Sequence, residues 1–327
     1  MHRVTILGGG SFGTALADLL ARLGHEVTFW LRDEAAAQAI NATHHNPKRL
    51  SEFALHHGVH ASSALQQATA NADWLVVALP SHSLRQVLVD TPLPKVPLVL
   101  GSKGLEAGTL MTCAELVADV LGADWPVLAL SGPSFAREIM LQHPTAVVLA
   151  CADEKLAQKV AKEFFCESFR AYSSTDVLGV EMGGALKNVM AIAAGGVEGM
   201  GLGANTLAAL VTRGIAETSR LAVARGANPL TLAGLAGVGD MVLTCTGALS
   251  RNRAVGVALG QGKSVEEAIR GVREVAEGVS TAKSAAELAR RLGVDAPIST
   301  AVYRVLYEGL PAREAILGIV RREPGRE

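Results

Sequence analysis

Residues Val4-Thr5-Ile6-Leu7 run directly into Gly8-Gly9-Gly10-Ser11-Phe12-Gly13, and Thr14-Ala15-Leu16-Ala17-Asp18-Leu19-Leu20 follows with helical spacing. A short apolar strand, a glycine turn and a helix in that order leave few folds open. Gly8, Gly10 and Gly13 fit G-x-G-x-x-G in the strand–loop–helix context that gives this motif meaning. The first glycine permits the tight turn, the second admits a pyrophosphate to the backbone, and the third lets the helix pack close to the strand. The helix N-terminus then offers N–H groups and a positive dipole end to an anion. A plain glycine turn is the competing reading, and the flanking strand and helix favour dinucleotide binding.

The first half continues in the same alternation. Apolar runs at 3–7, 26–31, 74–79, 97–101, 127–130 and 145–150 predict strands, with a last short one near 168–172. Helical stretches lie between them, which predicts a doubly wound parallel sheet of Rossmann type. The polar stretch 41–60, rich in His, Asn and Pro, reads as an irregular excursion. After about residue 176 strand signals stop. Helical patterns cover 176–200, 205–226, 229–237, 251–260, 264–271, 280–292, 298–308 and 311–321. The expected architecture is therefore an α/β dinucleotide-binding domain over 1–175 and an all-α substrate-binding domain over 176–327. The charged end, 321–327, reads as a frayed tail.

Composition narrows the function classes. Aromatic residues are only 4% against 49% hydrophobic, so the core is built from Ala, Val, Leu and Gly rather than from rings. The formal charge of −1 gives no global field for nucleic acid or an anionic membrane. No apolar run reads as long enough to span a bilayer, and the N-terminus lacks the parts of a signal peptide. The four cysteines, Cys113, Cys151, Cys166 and Cys245, form no C-x-x-C and read as free thiols of a cytoplasmic protein. The pairs His44-His45 and His56-His57 have no Cys or acidic cluster at ligand spacing, so no metal site is expected.

Several segments carry chemistry. At the end of the second strand stand Arg32 and Asp33. A carboxylate there recognises the ribose 2′-hydroxyl of NAD, whereas an arginine accommodates the 2′-phosphate of NADP. Arg32 favours NADPH, with NADH a second option. Ala78-Leu79-Pro80-Ser81, Gly101-Ser102-Lys103-Gly104 and Ser131-Gly132-Pro133-Ser134 close further apolar runs, at strand ends where such sheets bind ligands. Lys103 can reach an anion there, or be a simple loop lysine. Ser134 can cap the helix that follows.

Lys187-Asn188 lies within Val180–Gly196, a helix that is small and apolar on nearly every side. Such a helix is normally buried. A buried lysine is costly unless paired, and its lowered pKa suits general acid–base work near neutral pH. Snorkelling to solvent is the bland alternative. Ser250 reads as an N-cap, with Arg251, Asn252 and Arg253 in the first turn. Basic side chains oppose the dipole at that end, which makes sense if a phosphate sits there.

Together, GGGSFGTALA (8–17), SKGLE (102–106), SGPSFARE (131–138), GGALKNVMAIAAGG (183–196), GLAGVGDMVLTCTGALSRNRAVG (234–256) and VAEG (275–278) resemble the bacterial-type NAD(P)-dependent glycerol-3-phosphate dehydrogenase family over essentially the whole chain. The resemblance implies reversible reduction of dihydroxyacetone phosphate to sn-glycerol 3-phosphate for phospholipid synthesis. It implies that Lys187 is the proton donor and acceptor. Lys103 contacts both cofactor and substrate, and Gly132 and Ser134 line the substrate site. Asp240, Ser250, Arg251 and Asn252 hold the substrate, with Arg251 also near the cofactor. Ser11, Phe12, Arg32, Ala136, Val275 and Glu277 join the glycine loop in holding the dinucleotide. The chain departs from the family at Asn46-Pro47-Lys48-Arg49-Leu50-Ser51, where an aromatic residue and Leu-Pro are usual, so Lys48 and Arg49 are not assigned to the site. Small-residue helices in the second half leave room for a homodimer. The competing functions are a related two-domain β-hydroxyacid dehydrogenase, disfavoured by Ser250-Arg251-Asn252, and a non-catalytic dinucleotide-binding protein, disfavoured by Lys187 and Lys103.

Overall fold

The computed structural model describes residues 1–272 and 275–320; the charged tail at 321–327 lies outside the described residues. The chain divides into two compact units. The first comprises Met1–Lys103 and Met111–Val180, and the second Gly104–Leu110 and Glu181–Glu327. The division thus falls inside the Val177–Gly199 helix, not at 175/176, and sends one loop of the first half to the second unit. Ser284 Oγ donates to Leu105 O at 3.3 Å and Arg225 to Leu110 O at 3.2 Å, which is why that loop belongs with the helices.

The first unit holds one eight-stranded sheet: β1 (Arg3–Leu7), β2 (Glu26–Trp30), β3 (Val59–Ser62), β4 (Trp74–Val77), β5 (Leu98–Leu100), β6 (Val127–Ser131), β7 (Thr145–Ala150) and β8 (Phe169–Ser174). Their order is β3-β2-β1-β4-β5-β6-β7-β8, and all neighbours are parallel except β6 and β7. Strand residues alternate between two cores. Val4, Ile6 and Phe29 enter one, while Leu7, Trp30, Leu75 and Val77 enter the other. Burial on both faces is what a sheet wrapped by helices on each side requires.

Two expectations change. The excursion at 41–60 ends in strand β3, which pairs with β2 in the register Val27↔Val59. Strand β7 runs against β6, with Ala129 opposite Ala150. The helix between them, Ala136–Met140, has five residues. That spans about 7.5 Å, well short of a return along a strand of about 17 Å, so the chain re-enters the sheet running the other way.

At the N-terminal end of the sheet, His25 is buried. Its Nδ1 accepts from His2 N at 3.2 Å, its Nε2 faces Glu163 O at 3.3 Å, and its ring meets Trp74 edge-on at 5.9 Å. Burial pushes the imidazole below its ordinary value, against the opposing pull of Glu163. A base lowered on folding contributes stability above its ordinary pKa, and this is lost as pH falls through the folded value. The melting temperature should therefore drop between pH 7 and pH 5, with a shallower slope in His25→Asn. Equal slopes would remove His25 from the account.

In the second unit the Val177–Gly199 and Arg251–Gly260 helices meet through glycines. A β-carbon on Gly195 would lie 2.0 Å from Arg253 O, and one on Gly256 2.0 Å from Ile192 O. Gly199 and Gly260 repeat this one turn later, at 2.2 Å from Val257 O and 2.4 Å from Gly196 O. No side chain fits between these backbones. The expectation that no run could span a bilayer is corrected here. The Val177–Gly199 helix is long and apolar enough by length and composition, but 89% of its most apolar window is buried inside the protein. Its apolarity is that of a core helix packed on every side.

Candidate active site

In the first unit the strand order reverses between β1 and β4, and the glycine loop leaves β1 at this switch point. Gly8 has φ +125°, and a β-carbon there would meet Ala78 O at 2.5 Å. Gly13 faces Gly8 O, where a β-carbon would come within 2.0 Å. Gly10 is different: a β-carbon on it meets no atom within 4 Å. It is also the N-cap of the Ser11–Arg22 helix, in extended conformation and without a capping side chain. The loop is thus closed by sterics on its inner side and open on its outer side, the shape a pyrophosphate needs. The residues present fit a dinucleotide.

The neighbouring strand ends are built around this loop. Phe12 stacks over Gly101, where a β-carbon would reach its Cε1 at 2.9 Å. Ser102 is buried and donates to Leu79 O at 2.6 Å, which fastens the turn that carries the half-buried Lys103. Gly132, at φ +139°, would clash with Val147 Cα at 2.8 Å if substituted. Ser134 does not cap the next helix as expected. Its Oγ donates to Gly132 O at 2.9 Å, the N-cap is Phe135, and Ala136 is the first helical residue. Arg32 is exposed at the end of β2. Asp33 is the N-cap of the Glu34–Thr43 helix, accepting from Ala36 N at 3.0 Å, and pairs with Lys48.

In the second unit Lys187 is buried and its Nζ pairs with the fully buried carboxylate of Asp240. The pairing joins residues 53 positions apart and rests on glycines. Gly183, one turn before Lys187, would meet Ala236 O at 2.4 Å with a β-carbon, so the π-turn Leu235–Gly239 lies directly on the helix. Gly237 permits that turn, since a β-carbon there would sit 1.9 Å from Leu232 O. The turn runs directly into the Asp240–Thr246 helix and so fixes Asp240. Thr244 Oγ1 stands 2.6 Å from Asp240 O and 3.4 Å from its Oδ1. The neighbouring Cys245 thiol is pushed up to about 12 by burial, so it stays neutral beside the pair.

Ser250 caps the Arg251–Gly260 helix as read, accepting from Arg253 N at 3.2 Å. Arg253 is answered by Glu198, 2.6 Å away, which accounts for one of the two first-turn charges without an anion. Arg251 is exposed. Asn252 is buried and engaged: Nδ2 donates to Asn188 Oδ1 and Oδ1 accepts from Gly278 N, both at 2.9 Å. This ties the Lys187 helix to the start of the Glu277–Leu292 helix, just after the exposed Val275. Arg273 and Glu274 lie outside the described residues. Sequence reasoning assigned no role to Thr244 or Asn188. The i, i+4 spacing from Asp240 was the available signal for Thr244. Among the described residues no group of three His, Cys, Asp or Glu could hold a metal.

Comparison with known proteins decides the family. The model for the NAD-dependent glycerol-3-phosphate dehydrogenase N-terminus matches residues 3–157, and that for the C-terminus matches 176–317. The chain belongs to the NAD-dependent glycerol-3-phosphate dehydrogenase family. It is 52% identical to glycerol-3-phosphate dehydrogenase [NAD(P)+] of Anaeromyxobacter sp. (strain K), over 98% of both chains. It is 49% identical to the enzyme of that name from Myxococcus xanthus, over 99% of this chain and 98% of that one. The crystal structure of glycerol-3-phosphate dehydrogenase from Coxiella burnetii superposes with a TM-score of 0.94 at 35% identity, covering 98% of this chain and 99% of that one.

Proposed function

We propose that the protein reversibly reduces dihydroxyacetone phosphate to sn-glycerol 3-phosphate with NADPH in preference to NADH, in the cytoplasm, for phospholipid synthesis. The observation that carries this reading is the buried Lys187–Asp240 pair in a member of a dehydrogenase family. A bound nicotinamide supplies the hydride. Lys187 Nζ donates a hydrogen bond to the ketone oxygen and then the proton, so that carbonyl becomes carbinol. Asp240 keeps the ammonium charged and aimed, and Thr244 holds Asp240. Ser250 and Arg251 at the start of their helix receive the substrate phosphate, and Asn252 and Asn188 fix that helix against Lys187. Lys103, Gly132 and Ser134 complete the substrate contacts. Gly8, Gly10, Ser11, Phe12, Gly13, Arg32, Ala136, Val275 and Glu277 hold the dinucleotide, with Lys103 and Arg251 reaching it as well. The small-residue helices of the second unit leave room for a homodimer.

The NADPH preference rests on Arg32, whose guanidinium suits the ribose 2′-phosphate. Arg32→Ala should weaken NADPH by about tenfold or more and leave NADH within about twofold, one charge-assisted contact being worth that much. Kd values from fluorescence titration of each cofactor test this. Equal weakening of both would place the 2′-phosphate elsewhere.

A further inference from the structure

Just beyond β2 stands the carboxylate of Asp33, in the place of the usual recogniser of a free ribose 2′-hydroxyl. In this chain that carboxylate is engaged on both oxygens. Asp33 Oδ1 accepts from Ala36 N at 3.0 Å as a helix cap, and Oδ2 takes the ammonium of Lys48. Lys48 is delivered there by a built turn. Its backbone N donates to Asn46 Oδ1 at 3.0 Å. Asn46 is buried, and its Nδ2 donates to Thr14 Oγ1 at 2.9 Å and to Gly9 O at 3.3 Å. The glycine loop, Asn46, Lys48 and Asp33 therefore form one hydrogen-bonded chain beside Arg32. Arg49 backs it, donating from its guanidinium to Lys48 O at 2.8 Å.

We propose that Lys48 determines cofactor specificity: by pairing with Asp33 it withholds the carboxylate from a ribose 2′-hydroxyl and leaves the Arg32 charge for a 2′-phosphate. The inference rests on the reading that the end of β2 receives the adenosine ribose. A free Asp33 would repel a 2′-phosphate and accept from a 2′-hydroxyl, and the lysine reverses both effects. Lys48 carries this role although its segment departs from the family pattern, because Asn46 fixes the turn to the loop.

The test is calorimetric binding of 2′,5′-ADP and 5′-ADP to the full-length protein. Lys48→Gln should lower the affinity ratio of 2′,5′-ADP to 5′-ADP by about tenfold, the size of losing one unit charge near a phosphate close to the surface. Lys48→Gln with Asp33→Asn should return the ratio to within about threefold of the parent, and Asn caps a helix as well as Asp does. An unchanged ratio in Lys48→Gln overturns the proposal. So does a reduced ratio that the second substitution fails to restore, because Lys48 would then touch the phosphate itself. Arg32→Ala in the same assay separates the two levels. If it leaves the ratio unchanged, the strand end is not the ribose site. If it lowers the ratio while Lys48→Gln does not, that reading stands and Lys48 has no part in it.

Discussion

Lys187→Ala should reduce turnover by about three orders of magnitude while NADPH binding stays within about twofold of the parent, the range expected for loss of a general acid. The lysine Nζ is the proton donor in the proposed reaction, and the cofactor contacts assigned to the first unit do not include it. The substitution also has a structural cost. It strands the Asp240 carboxylate, which is fully buried and paired with Lys187. Removing one partner of a buried pair typically costs about 3–5 kcal/mol. Lys187→Ala should therefore lower the melting temperature, and adding Asp240→Asn should recover much of the loss without restoring turnover. That divergence distinguishes a proton donor from a structural ion pair. Parent-like turnover in a folded Lys187→Ala variant would end the assignment.

Gly256→Ala should be among the most damaging single-methyl changes in the second unit. The added carbon would lie 2.0 Å from Ile192 O, and its neighbours are the carbonyl carbon at 2.8 Å and Gly196 N at 2.9 Å, all backbone. Neither helix can yield by rotating a side chain, so they must separate. Overpacking usually costs about 1–3 kcal/mol, and a backbone-to-backbone clash belongs at or above the top of that range. The separation would also pull Asn252 from Asn188, which face each other one turn nearer the site. Turnover should fall together with stability. Gly318→Ala is the control, because a β-carbon there meets nothing within 4 Å and alanine favours a helix. Thermal melting of both variants decides it. A Gly256→Ala melting temperature equal to the parent's would show that the helices are not held by this contact.

What the sequence made legible follows from the range of the forces involved. The glycine loop and the apolar strands are local patterns, and the sheet carries them as read, from Arg3–Leu7 to Thr145–Ala150. Strand β3 escaped because Val59-His60-Ala61-Ser62 is only four residues long and carries a single large apolar side chain at the end of a polar stretch, and pairing with β2 supplies what the segment lacks. The direction of β7 is not written in its own residues; it follows from the brevity of the Ala136–Met140 helix. The Asp240–Thr246 helix was missed because the helical pattern read over 229–237 stops short of it, and the chain reaches it through a π-turn, Leu235–Gly239. The burial of Lys187 was legible from its small apolar neighbours. Its partner was not, because Asp240 reaches it across 53 positions through contacts at Gly183 and Gly237 that no local pattern records. Likewise, Asn252 was read from its place at a helix start, whereas its bonds to Asn188 and Gly278 N arise only where three helices converge.

The most direct test is the absorbance of reduced nicotinamide in a mixture of the purified protein, NADPH and a candidate ketone. Dihydroxyacetone phosphate should oxidise NADPH stoichiometrically to yield sn-glycerol 3-phosphate, and unphosphorylated dihydroxyacetone should react at least about a hundredfold more slowly for want of its anchoring phosphate. No NADPH or NADH oxidation with dihydroxyacetone phosphate, or equal rates with the two ketones, would contradict the proposed reaction and the phosphate site at Ser250 and Arg251.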